Sequence, residues 1–327
     1  MNGLILSCGT RNKIVQYFKK ELEPTGGKIY GADASKLAPA LYECDEFFIV
    51  PKFTSPDYVD SIMEICKTKN ISFLLSLIDT ELTIIAKNKK IFESNGIKVI
   101  GPNYEMAKKC LNKRAMYQYF NELGIPTQKS YFSFESFTEA YNDGIINFPV
   151  FVKPILGSAS IGINKVESLE KLAMLLSTSD DELMIQENMD GKEYGVDCYI
   201  DLISGNFVEL FIKEKLKMRA GETDKSLSVI NEEIFILVKQ LIERSQGFFG
   251  PIDIDVFEKN GNYYISEVNP RFGGGYPHAY ECGVNFPKNI INNICKGVIG
   301  ENQSKYNKNI YMMKFNELII KPFEDVL

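Results

Sequence analysis

The segment Ser266-Glu267-Val268-Asn269-Pro270-Arg271-Phe272-Gly273-Gly274-Gly275 packs a carboxylate, an amide oxygen and a guanidinium into a few residues. It follows directly on residues 262–265, which read as a β-strand. Strand side chains alternate between faces, so Glu267 and Asn269 project the same way. Two oxygen donors on one face, with a cation just beyond, suit Mg²⁺ and the phosphates it bridges. Upstream, Ile252-Asp253-Ile254-Asp255-Val256-Phe257 reads as a second strand with both carboxylates on one face. The turn Glu258-Lys259-Asn260-Gly261 folds the two strands into a hairpin and brings those carboxylates toward Glu267. Hard cations prefer such an all-oxygen set, and no Cys/His cluster competes for a softer metal. One Glu-x-Asn alone would read as a solvated strand end. The aspartate strand, the Pro-Arg step and the triple glycine in register carry the metal–phosphate reading.

Working outward, a chain of 327 residues is expected to form two or three packed units. Hydrophobic content of 45% and charged content of 24% are those of a globular protein. A net charge of −6 argues against a nucleic-acid or anionic-membrane partner. The 7 cysteines are scattered without paired spacing, as expected for reduced thiols in the cytoplasm. The opening residues 1–6 lack a basic stretch or a cleavage site, and no apolar run approaches the roughly 18 residues a membrane span needs.

Residues 1–102 alternate short apolar runs with amphipathic stretches. Strands are expected at 3–8, 28–32, 45–50, 73–77 and 98–100, and helices at 13–22, 58–69 and 81–95. That alternation implies a parallel, doubly wound sheet. Ligands bind such sheets beyond the carboxyl ends of their strands, where Cys8-Gly9-Thr10-Arg11, Asp33 and Asp79-Thr80-Glu81 fall. No GxGxxG is present, so a dinucleotide site is not read.

Beyond Pro102, a helix at 113–123 ends at Gly124-Ile125-Pro126. A strand at 129–132 and a helix at 136–141 precede the apolar strand Pro149-Val150-Phe151-Val152-Lys153-Pro154, whose single cation suggests a charge aimed into a site. Residues 157–162, Gly157-Ser158-Ala159-Ser160-Ile161-Gly162, read as a loop whose N–H groups can close over phosphates. The strand through Gln186 and Glu187 stops at a polar linker, Asn188 and Met189, with Glu193 just beyond. Such a break offers backbone groups to a flat base and a carboxylate to sugar hydroxyls. Strands follow at 196–202 and 207–213, then an exposed loop at 217–225, a helix at 231–245 and a last strand-like piece at 312–321.

In this order the motifs resemble the ATP-grasp superfamily, and more closely its carbamoyl-phosphate-synthase-like branch of carboxylate–amine ligases. The resemblance covers nearly the whole chain. It implies an α/β and α+β protein, an ATP-grasp fold with a Rossmann-like pre-ATP-grasp domain at 1–102. A first lobe with the glycine-rich lid would span 103–186, and a second lobe with the Mg²⁺/phosphate site 187–327.

Residue by residue, the resemblance implies that Lys113 and Lys153 reach the phosphates of ATP and that Gly157–Gly162 form the lid. Gln186, Glu187, Asn188 and Met189 would read adenine, and Glu193 would hold the ribose. Asp255, Glu267 and Asn269 would ligate two Mg²⁺ ions, or Mn²⁺ in their place, with Asp253 the alternative to Asp255. Arg271 would steady the transferred phosphoryl group, and Arg219 falls where relatives place a phosphate-contacting cation. The branch often has Asp before the first lysine and Gln in place of Asp255; here Asn112 and Asp255 stand. The chain lacks the second half of a full carbamoyl phosphate synthase and is not expected to be that enzyme.

The function implied is an ATP-dependent ligase of small, amino-acid-like carboxylates and amines, acting through an acylphosphate and releasing ADP and phosphate. A phosphorylating or carboxylating relative, or a nucleotide-binding regulatory module, are the alternatives. The dispersed cysteines and the lack of a membrane-length apolar run lead us to expect a soluble cytoplasmic protein, and a homodimer is common among relatives. Asp79, Glu81 and Tyr276 are placed near the substrate by geometry alone. The lone His278 is read as structural, and Cys282 and Cys295 as small buried packing residues.

Overall fold

The computed structural model describes residues 1–157, 162–302 and 306–322. Its first sheet is parallel, built from Asn2–Leu6 (β1), Ile29–Asp33 (β2), Glu46–Ile49 (β3), Ile71–Ser76 (β4) and Lys98–Ile100 (β5), in the order β3-β2-β1-β4-β5. Leu4, Ile5 and Leu6 are fully buried because helices cover both faces. Those helices are Asn12–Leu22 (α1), Tyr58–Thr68 (α2), Asp79–Lys87 (α3) and Lys89–Ser94 (α4). The single helix expected over 81–95 is two: Asn88 leaves helical geometry and turns its side-chain amide back onto the Ile84 carbonyl. From β1 the chain builds outward through β2 and β3, then crosses back to lay β4 on the other side. The topological switch point therefore lies between β1 and β4.

The second sheet is antiparallel: Ser130–Tyr131 (β6), Val150–Pro154 (β7), Asn164–Val166 (β8) and Leu183–Glu187 (β9), in the order β6-β9-β7-β8. Helices Tyr104–Leu111 (α5) and Lys113–Glu122 (α6) lead into it, and Phe134–Asn142 (α7) and Leu169–Thr178 (α8) pack on it through Phe137 and Leu172. Asn112 caps α6 by accepting the Ala115 N–H at 3.0 Å, which sets Lys113 on the first turn.

The third sheet holds Glu193–Ile200 (β10), Phe207–Arg219 (β11), Glu222–Val229 (β12), Gly250–Lys259 (β13), Asn262–Asn269 (β14) and Tyr311–Met313 (β15), ordered β14-β13-β10-β11-β12-β15. Helices Glu232–Arg244 (α9), Tyr276–Glu281 (α10) and Phe286–Lys296 (α11) flank it. Two expectations are corrected here. Residues 217–225 are not an exposed loop: β11 runs on to Arg219, and a two-residue turn, Ala220 and Gly221 at φ 51° and 76°, opens β12. Their many charges disguise a strand whose face looks into a cleft. The strand expected over 312–321 shrinks to β15, because only Tyr311–Met313 find ladder partners on β12.

One apolar core joins the first sheet to the third. Phe18 of α1 meets Phe272 edge-on at 5.9 Å, and Tyr17 stacks on Tyr280 at 3.6 Å between ring centres. Tyr17 also donates a hydrogen bond to Glu281, and Tyr280 one to Glu21. Phe272, Tyr276 and Phe286 share this cluster, and each fully buried aromatic contributes on the order of 2 kcal/mol. The carboxyl ends of β1 and β4 are thereby fixed against the loop that follows β14.

Candidate functional site

The hairpin β13–β14 is the floor of the site. Its turn places Asn260 and Gly261 at φ 52° and 74°, left-handed values that this Asn-Gly pair tolerates. The register sets Asp255 opposite Glu267 and Asp253 opposite Asn269, with a bulge after Asp255. All four side chains stand on one face and line a cleft of about 560 Å³ between the three sheets. Among the described residues, the side chains of Glu267 and Asn269 make no hydrogen bond.

Lysines and arginines surround this acidic floor. Lys215 of β11 lies between Asp255 and Glu193, at 2.6 and 2.7 Å. Burial disfavours its charge, yet the two carboxylates more than compensate and hold Lys215 above the ordinary lysine range. Arg271 grips Asp79 through two N–H groups at 3.1 and 3.3 Å and stands 3.7 Å from Asp253. Burial, and then the negative Asp255, push Asp253 up to about 6. A layer deeper, Lys213 and Asp197 form a fully buried ion pair.

From the second sheet, Lys153 of β7 is buried, and no hydrogen bond to its ammonium exists among the described residues. Burial depresses it below the ordinary lysine value and the nearby Lys113 depresses it further, while Glu267 opposes both. Lys113 itself donates to the Gly157 carbonyl at 2.5 Å. Two ammonium groups close enough to repel, facing a cleft, are a ready cradle for anions. Gly157 lines the cleft. The lid residues Ser158, Ala159, Ser160 and Ile161 lie outside the described residues.

Gln186 is buried and donates to Ser130 at 3.3 Å, while Glu187 is ion-paired with Lys259 at 2.8 Å. Lys259 also reaches the Asn188 carbonyl, so the segment 187–188 is tied to the β13–β14 turn. Met189 lines the cleft together with Phe151 and Phe257, an apolar wall. Arg219 stands at the rim, half exposed, paired with Asp224 at 3.0 Å and with Asn316 at 3.1 Å.

Of the geometric guesses, Asp79 does line the cleft. Glu81 does not: it is buried among Ser7, Ser76 and Tyr58. Tyr276 is fully buried, with its hydroxyl donating to the Val284 carbonyl and accepting the Phe286 N–H. His278 is buried between Ser226 and the Ile310 carbonyl, and burial lowers it to about 4. Cys282 is buried as expected, but Cys295 is exposed, on the outer side of α11. The reading missed Lys215 and the Lys213–Asp197 pair. Their signal was the Lys-x-Lys alternation of residues 213–215, which puts both ammonium groups on one strand face.

The donor set fits a hard divalent cation. Asp255, Glu267 and Asn269 offer only oxygen on one face, and two of the three have no protein partner among the described residues. No cluster of three or more acidic, His or Cys groups stands ready for a metal among the described residues. Lys215 is paired with Asp255 at 2.6 Å, and Arg271 stands 3.7 Å from Asp253.

A PylC-like N-terminal domain model matches residues 4–100, and an ATP-grasp domain model matches residues 110–275. The latter spans half of the chain, which belongs to the ATP-grasp family. The carbamoyl phosphate synthase arginine-specific large chain of Bacillus subtilis (strain 168) is 25% identical over 233 residues, 67% of this chain and 22% of that protein. The D-alanine--D-alanine ligase of Lactococcus lactis subsp. cremoris (strain MG1363) is 26% identical over 194 residues, 52% of this chain and 54% of that one. The chain thus spans only part of the curated relatives it matches. Its fold is also that of the biotin carboxylase domain of Hydrogenobacter thermophilus 2-oxoglutarate carboxylase, crystallised with MgADP and bicarbonate. There the TM-score is 0.73 at 16% identity, over 94% of this chain and 73% of that one. Among the described residues no helix is long and apolar enough to cross a membrane.

Proposed function

We propose that this chain is an ATP-dependent carboxylate–amine ligase that joins a small carboxylate to a small amine through an acylphosphate, releasing ADP and phosphate. The observation that carries this reading is the Asp255–Glu267 register. It aims the Lys215-paired Asp255 and the unpartnered Glu267, with Asn269 beside it, at the same cleft as the unbonded Lys153 and the Asp79-held Arg271. In this reading the domains are 1–102, 103–186 and 187–327.

A carboxylate is a poor electrophile because its charge repels nucleophiles and it has no good leaving group. One of its oxygens bonds to the γ-phosphorus of ATP as the bond to ADP breaks, and the amine nitrogen then bonds the acyl carbon as phosphate leaves, the proton lost from nitrogen departing with the phosphate. Asp255, Glu267 and Asn269 would hold two Mg²⁺ ions, or Mn²⁺ in their place, which would supply charge neutralisation on the phosphates. Asp255, which faces Glu267, would be the upstream ligand if Lys215 yields it to the metal, with Asp253, opposite Asn269 and 3.7 Å from Arg271, the alternative. Lys113 and Lys153 hold the phosphate oxygens, in a setting where burial strengthens each charge.

Gln186 to Met189 and the apolar wall take the adenine, and Glu193 takes the ribose hydroxyls. Arg271 is kept in one orientation by Asp79, so it meets the transferred phosphoryl group without reorganising. Arg219 adds a rim cation. The test is positional isotope exchange in ATP labelled at the β,γ-bridging oxygen, with carboxylate present and amine withheld. Scrambling that depends on the carboxylate supports reversible acylphosphate formation; turnover to ADP without scrambling, across carboxylates that support turnover, counts against it.

A further inference from the structure

Past Arg271, the cleft reaches the switch point of the first sheet, where Arg11 has no part in the phosphate chemistry above and Asp79 lends it only one of its two carboxylate oxygens, Oδ2. Arg11 follows the carboxyl end of β1 and Asp79 that of β4, the neighbouring strands between which the sheet reverses. Open α/β sheets bind ligands at that point. Arg11 is largely buried, its side chain 19% exposed, and burial lowers it despite the nearby Glu222. One N–H edge pairs with Glu222 at 2.7 Å, and Glu222 is spent in turn on Lys314 at 3.1 Å. No other hydrogen bond from the Arg11 guanidinium exists among the described residues.

Asp79 is complementary. Its Oδ2 accepts both N–H groups of Arg271, while its Oδ1 is buried without a hydrogen-bond partner among the described residues. A buried polar atom without a partner calls for a ligand or a water. Gly274 closes this end, and a Cβ there would stand 2.6 Å from the Arg11 guanidinium and 2.7 Å from Glu222. The guanidinium therefore lies against bare backbone and offers its remaining donors to the cleft.

A spare donor fork and a spare carboxylate oxygen at one end of a cleft match a zwitterion. We infer that this end of the cleft binds one substrate as an α-amino acid, its α-carboxylate on Arg11 and its α-ammonium on Oδ1 of Asp79. Arg11 is then a specificity-determining residue, held in place by the Glu222–Lys314 pair. The inference rests on the ligase reading for its role in turnover, but binding itself requires no turnover.

The test has two arms. Proteinogenic α-amino acids, their methyl esters and their N-acetyl derivatives are screened for thermal stabilisation of the full chain, first without and then with Mg-ATP. Phosphate release from Mg-ATP is then measured for wild type, Arg11→Met and Arg11→Lys. The expected result is stabilisation by at least one free amino acid and not by its ester or N-acetyl form. With that amino acid, Arg11→Met raises KM about ten- to a hundredfold, the loss of a charge-assisted pair, with the KM for ATP unchanged and partial rescue by Arg11→Lys.

Amino-acid binding without phosphate release leaves the inference standing and overturns the ligase reading. Phosphate release driven equally by esters or N-acetyl forms, or unaffected by Arg11→Met, overturns the inference and leaves the ligase. Absence of any amino-acid binding, with or without Mg-ATP, also overturns it. Since Arg11→Met could fail to fold, the ester and N-acetyl comparison on wild type decides the matter independently.

Discussion

Asp255 and Glu267 face each other across the β13–β14 ladder, one from each strand and on the same face as Asn269. The pair is held by backbone register and not by any contact between the side chains themselves. Replacing Glu267 by Gln keeps shape and register but removes a charge from the donor set. Metal-dependent phosphate release should fall by about a hundredfold or more, the scale of losing one electrostatic stabiliser. Asp255→Asn should cost more than Asp253→Asn. The check is the rate at saturating Mg²⁺, with circular dichroism confirming an intact fold.

Lys215 sits where a cation is wanted, between Asp255 and Glu193. Replacing it by Met leaves both carboxylates without their cation. The partly exposed carboxylates limit the cost to about 1–3 kcal/mol in the absence of metal. Mg²⁺ should then stabilise Lys215→Met more than it stabilises wild type, read as the shift in thermal midpoint on titration with the metal alone. Equal shifts in the two proteins would mean that Lys215 does not compete for the site.

The Lys213–Asp197 pair is buried on both sides, with 1% exposure each. Breaking it on one side, as in Asp197→Ala, leaves an uncompensated ammonium and should cost about 3–5 kcal/mol in urea denaturation. Replacing both, as Lys213→Met with Asp197→Leu, should recover much of that loss. A double variant as unstable as the single one would assign the pair a packing role that these apolar side chains cannot meet.

His278 binds its proton poorly because it is buried between Ser226 and the Ile310 carbonyl, with Lys213 nearby. Its folded value of about 4 lies below the unfolded one, near 6.5. The unfolded chain therefore binds the extra proton between those limits. The contribution is fully present above about pH 6.5 and is lost as the pH falls toward 4, on the order of 3 kcal/mol in all. Unfolding free energies of wild type and His278→Gln should converge across that window. Parallel pH dependences would place His278 elsewhere.

Much of this was legible in the sequence. The alternation of Glu267 with Asn269 and of Asp253 with Asp255, joined by Asn260-Gly261, fixes a hairpin and a face by period and turn chemistry alone. The first sheet was legible because its strands are continuous apolar runs between amphipathic helices. The β11–β12 hairpin was not, because beyond residue 213 the strand carries Lys215, Lys217 and Arg219, with Lys215 and Arg219 lining a polar cleft, where a core strand would carry valine. The break at Asn88 is a single side chain outcompeting a helical bond, below the resolution of periodicity. Arg11 and Asp79 could be placed at strand ends from the sequence, but their spare hydrogen-bonding capacity depends on what Arg271 and Glu222 take. That is a tertiary fact.

The most direct test of the ligase reading is phosphate release from Mg-ATP across pooled amino acids and small carboxylates and amines, with mass spectrometry of the products. The account predicts release that requires both a carboxylate and an amine, one ADP and one phosphate per turnover, and a product whose mass is the sum of the two substrates less one water. Tight binding of Mg-ATP with no release from any pool, or release that yields no condensed product, would contradict it.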